Sequence, residues 1–278
     1  MEIIKTLEGG RDGIYDRNAL EQAALYVEDE FRELGFHIDY DEFDFQGKIY
    51  RNIIATASGI DAEKDWIAVC AHYDAVAGSP GADDNASGVA VMLETARALG
   101  PRKGLQFIAF TLEEPQVTGA TFLYGSRHFV RVMKGRGHRY KGLFNLESVG
   151  YVSSDSGSQH VPALLNVSNI GDFIALVGNS GSERLMSLYE EAARNKVPGL
   201  KVYSHKVMMK GYLLFPSRFS DHAPFWDAGF PAVMITDTAM MRNPNYHTRD
   251  DISDTISPEF MEQVARALID TLEEVLKD

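Results

Sequence analysis

The sequence predicts an α/β fold, a three-layer α/β/α arrangement with a mixed, mostly parallel central sheet, and three observations lead to it. Apolar runs of strand length recur at residues 66–71, 105–112, 143–146 and 231–236. Segments of helical spacing lie between or beyond them, at 19–34, 87–99, 120–133, 182–195 and 258–276. Acids or an imidazole follow directly where the first three runs end, and in an open α/β sheet that edge is where ligands bind. With 278 residues and 45% hydrophobic content, one domain over 1–278 with a substantial core is expected.

The first helix, 19–34, carries Leu20, Ala23, Ala24, Val27, Phe31 and Leu34 on one face, with Asn18 available as a cap and Gly35 as a stop. Residues 37–45 alternate acidic and apolar side chains and 50–57 hold a β-branched cluster, which predicts an antiparallel pair at a sheet edge. The stretch 69–88, VCAHYDAVAGSPGADDNASG, then joins a buried strand to a loop carrying His72, Asp74, Asp83 and Asp84. Two further strands end in Glu113–Glu114 and in Glu147, so three successive strands deliver His72, Glu114 and Glu147 at corresponding positions. From 153 to 219 the pattern weakens, and the segment is expected to be an excursion over the sheet that roofs the site. The YHTRDD loop follows the strand at 231–236, and an amphipathic helix ends the chain.

The formal charge of -13 and a pI near 5.1 argue against nucleic-acid and anionic-membrane partners, which call for a basic face. The lone Cys70 excludes an internal disulfide framework. MEIIKTLEGG holds no apolar stretch of signal-peptide length and nothing approaches a transmembrane span. The expectation is a soluble protein, cytoplasmic as the chain is written, with secretion compatible with a removed leader.

His72, Asp84, Glu114, Glu147 and His247 supply two imidazoles and three carboxylates from separate parts of the chain. Zinc favours such donors, and with one carboxylate shared, each of two ions receives three ligands and keeps room for water. Two-metal sites hold their ions roughly 3.5 to 4 Å apart, a span one carboxylate can bridge. Taken singly, HxD is an ordinary strand end, GADDNASG an ordinary turn and cap, and YHTRDD an ordinary polar loop. Their joint occurrence points to a two-metal hydrolase.

The elements AHYDA, GADDNASGV, TLEEP followed by GSRHF, NLESVGY, SDHAPFWDAGFPAVMITDTA and NPNYHTRDD resemble, in order, those of the co-catalytic di-zinc exopeptidases, the family of bacterial leucyl aminopeptidases and glutamate carboxypeptidase II. The resemblance implies two Zn2+ per chain, with Asp84 as bridging ligand, His72 and Glu147 on one ion, and Glu114 and His247 on the other. It makes Glu113 the general base, Asp74 the carboxylate orienting the His72 ring, and Tyr246 a donor to the oxyanion. It implies a cis peptide between Asp84 and Asn85. Glu147 departs from the Asp that many aminopeptidases of this type carry. A peptide or aminoacyl substrate follows, with aminopeptidase action the leading expectation and an apolar first residue favoured by the Met and aromatic residues of 207–219. The alternatives are a glutaminyl cyclase (a single-zinc acyl transferase on the same fold), a carboxypeptidase or amino-sugar deacylase, and a binding relative without catalysis. Asp83 is expected to shape its loop, His222 to hold a loop without binding metal, and Ser126, Arg127 and His128 to cap and pack.

Overall fold

In the computed structural model, which describes residues 1–59, 64–115, 122–160 and 167–277, eight strands form one sheet in the order β1-β2-β4-β3-β5-β8-β6-β7. The edge pair is β1 (His37–Phe45) and β2 (Lys48–Thr56), antiparallel as the alternating pattern predicts. Next come β4 (Leu105–Phe110), β3 (Asp65–His72), β5 (Arg139–Glu147) and β8 (Ala232–Thr236), mutually parallel. These four are buried on both faces over most of their length, which is why they read as continuous apolar runs and not as alternation.

Alternate residues of β3 serve the two faces. Ile67, Val69 and Ala71 join a core formed with α2 (Arg17–Glu33), α3 (Gly88–Leu99), α5 (Glu183–Lys196) and α7 (Pro258–Val275), through Phe31, Met92, Tyr189 and Leu268 among others. Trp66, Ala68 and Cys70 join the other core, under α4 (Tyr124–Gly135) and α6 (His222–Ala228), where Phe110, Phe129, Phe225 and Trp226 are fully buried. This is the three-layer arrangement expected.

Several details differ from the expectation. Residues 153–219 contribute two strands to the sheet: β6 (Phe173–Gly178) pairs antiparallel with β8, and β7 (Lys201–Lys206) pairs parallel with β6 at the far edge. Helix α2 begins at Arg17, so Asn18 lies inside it and does not cap it. A short helix, α1 (Glu2–Leu7), precedes it, with Ile3, Ile4 and Leu7 buried. Strand β5 starts four residues earlier than the apolar run, because Arg139 and Tyr140 pair with Asp65 and Trp66 despite the polar side chains there. Helix α4 begins at Tyr124; of the span expected to be helical, residues 120 and 121 lie outside the described residues.

Candidate metal centre and active site

Parallel pairing brings the carboxyl ends of β3, β4 and β5 to one edge. His72 pairs with Phe110 and Cys70 with Asn145, so Glu147 falls in the row of His72 and Glu113 leaves β4 beside it. Beside or at the donors the chain turns sharply with left-handed backbone at Leu112 (φ 51°), Ser148 (φ 46°) and His247 (φ 60°), non-glycine residues all. Such conformations cost of order 1–3 kcal/mol each and persist only where surrounding contacts impose them. Here they flank or carry Glu113, Glu147 and His247.

The fourth contribution is the kinked turn Ala82–Ser87, whose Asp84–Asn85 peptide is cis. Its position is set by side chains that bond to backbone. Asn85 Nδ2 donates to Leu146 O (2.8 Å), and Asn85 Oδ1 accepts from Ser148 N (3.1 Å) and Gly88 N (3.2 Å), which joins the turn to the end of β5. Only glycine fits at 88, because a Cβ there would lie 2.3 Å from Asn85 Oδ1. Asp83 accepts from Gly150 N (2.9 Å) and Asn243 Nδ2 (2.8 Å), the loop-shaping position expected of it.

These elements bring the five expected donors together. Asp84 Oδ1 lies 3.3 Å from His72 Nε2, and Asp84 Oδ2 lies 3.1 Å from His247 Nε2. His72 Nε2 is also 3.5 Å from Glu147 Oε2, and His247 Nε2 is 3.2 Å from Glu114 Oε1. Two groups with all ligand atoms within 4.8 Å of one another result: His72, Glu113 and Glu147, and Asp84, Glu114 and His247. Within the first group, Glu113 Oε2 is 4.0 Å from His72 Nε2, farther than Glu147 Oε2. The Tyr246 ring stacks on His247 with centroids 3.9 Å apart and 14° between the planes.

Asp74 sits behind the site. Its Oδ1 lies 3.5 Å from His72 Nδ1, while its own backbone carbonyl is nearer that nitrogen at 3.2 Å. The same carboxylate accepts the backbone N–H of Glu113 and of Glu114, both at 3.2 Å. It therefore ties the end of β4 to the His72 ring, a linkage that two-residue spacing from His72 does not reveal.

The concentration of acids sets the electrostatics. Burial pushes the Glu113 carboxyl well above its ordinary range, with Glu147 and Glu114 adding to the rise, and pushes Glu114 up to about 7, aided by Asp84. Burial likewise raises Glu147. Burial opposes charge on His72 and His247, but the neighbouring carboxylates outweigh it: Glu147 and Glu113 carry His72 well upward, and Asp84 and Glu114 carry His247 to about 10. Asp84 moves down despite burial, because the two imidazoles close to its oxygens favour its charged form.

Sequence reasoning missed several supporting groups. Asp251 accepts the backbone N–H of Asp83 (2.9 Å) and Asp84 (3.1 Å), binding the YHTRDD loop to the turn. Ser220 Oγ donates to Glu147 Oε2. The serine that opens SDHAPF and the last acid of YHTRDD were visible as motif letters, but their partners lie far away in the chain. Asp221 is buried nearby without joining either donor group, and His222 donates from Nε2 to Ser217 O (2.8 Å) and packs edge-on against Trp226. Ser126 is buried within α4 and does not cap it, and His128 Nδ1 lies 3.0 Å from Asp41 Oδ2.

The donor set fits a metal. Two imidazoles and three carboxylates are what zinc prefers. Among the described residues, His72 Nε2 and Asp84 Oδ1 are buried without a hydrogen-bond partner, and they face one another. Buried polar atoms of native proteins are rarely left so, unless an ion or water completes them.

The sequence profile of peptidase family M28 matches residues 52–272. The uncharacterized protein YfbL of Escherichia coli is 33% identical over 268 residues, 91% of this chain and 80% of YfbL. Among solved structures, BSAP, a zinc aminopeptidase from Bacillus subtilis, is 28% identical with a TM-score of 0.58, covering 83% of this chain and 51% of that one. The glutaminyl cyclase of Porphyromonas gingivalis shares the fold at 19% identity, with a TM-score of 0.73 over 98% of this chain and 95% of the cyclase. The chain spans 42 to 56% of the length of several other similar proteins. It belongs to peptidase family M28, the zinc-dependent exopeptidases.

Proposed function

We propose that this protein is an aminopeptidase that holds two zinc ions, with Asp84 shared between them. The observation that carries the reading is the placement of the Asp84 carboxylate, whose two oxygens face different histidines, His72 at 3.3 Å and His247 at 3.1 Å. Glu147 completes one donor group, and Glu114 the other. When bound, zinc supplies Lewis acidity that polarises a scissile carbonyl and acidifies water.

The chain's own side chains do the rest. Glu113, whose burial makes its carboxylate a stronger base, takes a proton from the attacking water and delivers it to the leaving amine. Asp74 holds the backbone N–H of Glu113 and so fixes where that carboxylate starts. The Tyr246 phenol, held protonated by burial and by the surrounding acids, donates a hydrogen bond to the oxyanion. Glu147 and Glu113 place two carboxyl groups at one corner, where they can accept hydrogen bonds from a free α-ammonium group.

A cavity of about 240 Å³ opens beside Glu147 and Tyr246, with walls of Met234, Met241, Leu214 and Phe219. Its volume and apolar walls suit one bulky apolar side chain, which supports preference for such a first residue. Leu214 and Phe219 come from the segment expected to roof the site, whose middle supplies β6, α5 and β7.

The cyclase alternative draws on the match over nearly the whole cyclase chain. Two histidines, each beside one oxygen of Asp84 and each with a glutamate of its own, favour the two-ion hydrolase. The test is a panel of aminoacyl amides and peptides, each free and N-acetylated, with an N-terminal glutamine peptide alongside. Hydrolysis of leucyl or phenylalanyl substrates that N-acetylation abolishes is expected. Cleavage of acetylated substrates, or cyclisation of the glutamine peptide without hydrolysis, would contradict the proposal.

A further inference from the structure

The segment ahead of α2 carries a buried arginine with no part in the chemistry above. Arg11 is 3% exposed, and among the described residues its hydrogen bonds go to backbone carbonyls. Nε donates to Tyr73 O (3.0 Å), one terminal nitrogen to Pro80 O (2.8 Å), Gly9 O (3.2 Å) and Leu7 O, and the other to Gly81 O (2.9 Å). Tyr73 directly follows His72, while Pro80 and Gly81 lead into Asp83 and Asp84. The fork thus grips the chain on either side of two expected metal donors.

Neighbouring contacts extend the grip. Gly9 N donates to Pro80 O (3.0 Å) and Ala75 N to Arg11 O (3.3 Å), so the segment runs against the loop as paired backbone. Glu8 accepts Ser253 N (2.9 Å) from the loop that carries His247 and Asp251. That loop in turn holds the turn of Asp84, since Ala82 N donates to Asp251 O (3.1 Å). Residues 8–11 therefore touch the segments bearing His72, Asp84 and His247. Gly81 shows how close the approach is: its φ is +64°, and a Cβ there would lie 2.8 Å from an Arg11 nitrogen and 2.5 Å from Asp84 O.

Buried carbonyls need donors, and converging carbonyl dipoles repel one another unless a cation sits among them. A guanidinium meets both needs with five N–H groups in a rigid plane, which an ammonium does not. Its charge also faces Asp74, Asp251, Asp84 and Glu114, so it lessens the repulsion within the acid cluster. A plain N-terminal latch would need none of this convergence on the donor loops. The segment lies outside the span 52–272 matched by the family profile.

We infer that residues 8–11, centred on Arg11, brace the loops of His72, Asp84 and His247 at metal-binding separation, which makes Arg11 a positioning residue of the metal centre. The inference rests on the two-ion reading. Loss of the brace leaves every donor in the chain but widens the spread of their separations, so zinc affinity and coordination geometry change first.

The test uses the full chain with R11K, which keeps the charge and loses the fork, R11Q, which loses both, and E8A, which frees only the Ser253 contact. Zinc affinity is read by chelator competition, coordination by the visible absorption of the cobalt-substituted protein, and stability by unfolding of the metal-free chain. Zinc affinity is expected to fall about 10-fold in R11K and about 100-fold in R11Q, as for other residues that orient metal ligands. A changed cobalt spectrum should accompany both, and E8A should show a smaller loss of the same sign. Folded Arg11 variants with wild-type affinity and spectrum, however much stability they lose, would overturn the brace. Should the Arg11 variants not fold, E8A decides, and wild-type affinity in E8A overturns it. A wild-type chain that takes up fewer than two zinc ions overturns the two-ion reading and the brace with it, whereas two ions in the wild type with unchanged variants overturn the brace alone.

Discussion

Ser220 Oγ lies 2.5 Å from Glu147 Oε2, the acid at the position where many family members have aspartate. The direction of this hydrogen bond follows from its neighbours. Asn145 Nδ2 donates to Ser220 Oγ (2.6 Å) and the Cys70 thiol donates to Asn145 Oδ1 (3.1 Å), so the serine proton has only Glu147 to serve. Burial raises the Cys70 thiol well above its ordinary range and keeps it a donor. A glutamate has one more rotatable bond than an aspartate, and this buried relay fixes it.

Ser220→Ala should therefore loosen Glu147 and weaken zinc binding by about 10-fold, without loss of the fold. Competition titrations with a chromophoric chelator check this. Unchanged affinity for both ions would show that packing alone orients Glu147.

Glu113→Gln should abolish hydrolysis while leaving zinc content intact, because the amide keeps the shape but cannot accept the proton. Single-turnover assays on the metal-analysed variant test it. A rate above about one hundredth of wild type would remove Glu113 from the role of base.

Zinc uptake should release protons. In the metal-free protein the surrounding carboxylates raise His72 and His247, the latter to about 10, so both imidazoles are protonated at pH 7 and must lose those protons to bind. Calorimetry in buffers of different ionisation enthalpy should give about two protons or more per chain, with affinity falling as pH is lowered. Uptake without proton release would contradict the close carboxylate–imidazole pairing.

His222 supplies a pH dependence of stability separate from the metal centre. Burial lowers its pKa to about 4, beneath its ordinary value of 6.5, so the fold favours the neutral ring and the unfolded chain binds the extra proton. The contribution is complete above pH 6.5 and is lost as pH falls toward 4, a change on the order of 3 kcal/mol. Urea unfolding of wild type and His222→Asn at pH 7.5 and 4.5 should show a steeper fall in the wild type. Parallel falls would refute it.

The donors were legible because their signal is local. Each of β3, β4 and β5 is an apolar run that stops at an acid or imidazole, and parallel strands necessarily place those stops on one edge. What holds the donors was not legible. Asp251 acts on backbone 167 and 168 residues away, and Arg11 grips carbonyls, which any residue type presents. Strand β7 escaped notice because, as an edge strand, it has no fully buried residue and so no apolar run, while β6 is only six residues long and flanked by an irregular chain. Short helix α6 was hidden inside a stretch read for its motif, SDHAPF, whose proline at 224 is tolerated in the helix's first turn.

The central claim is that one aspartate serves two ions, and zinc stoichiometry of the purified chain, with and without Asp84, tests it most directly. Two zinc ions per wild-type chain are expected, with both sites severely weakened together in Asp84→Ala, because each loses a ligand. A single ion in the wild type, or one site that keeps its wild-type affinity in Asp84→Ala, would contradict it.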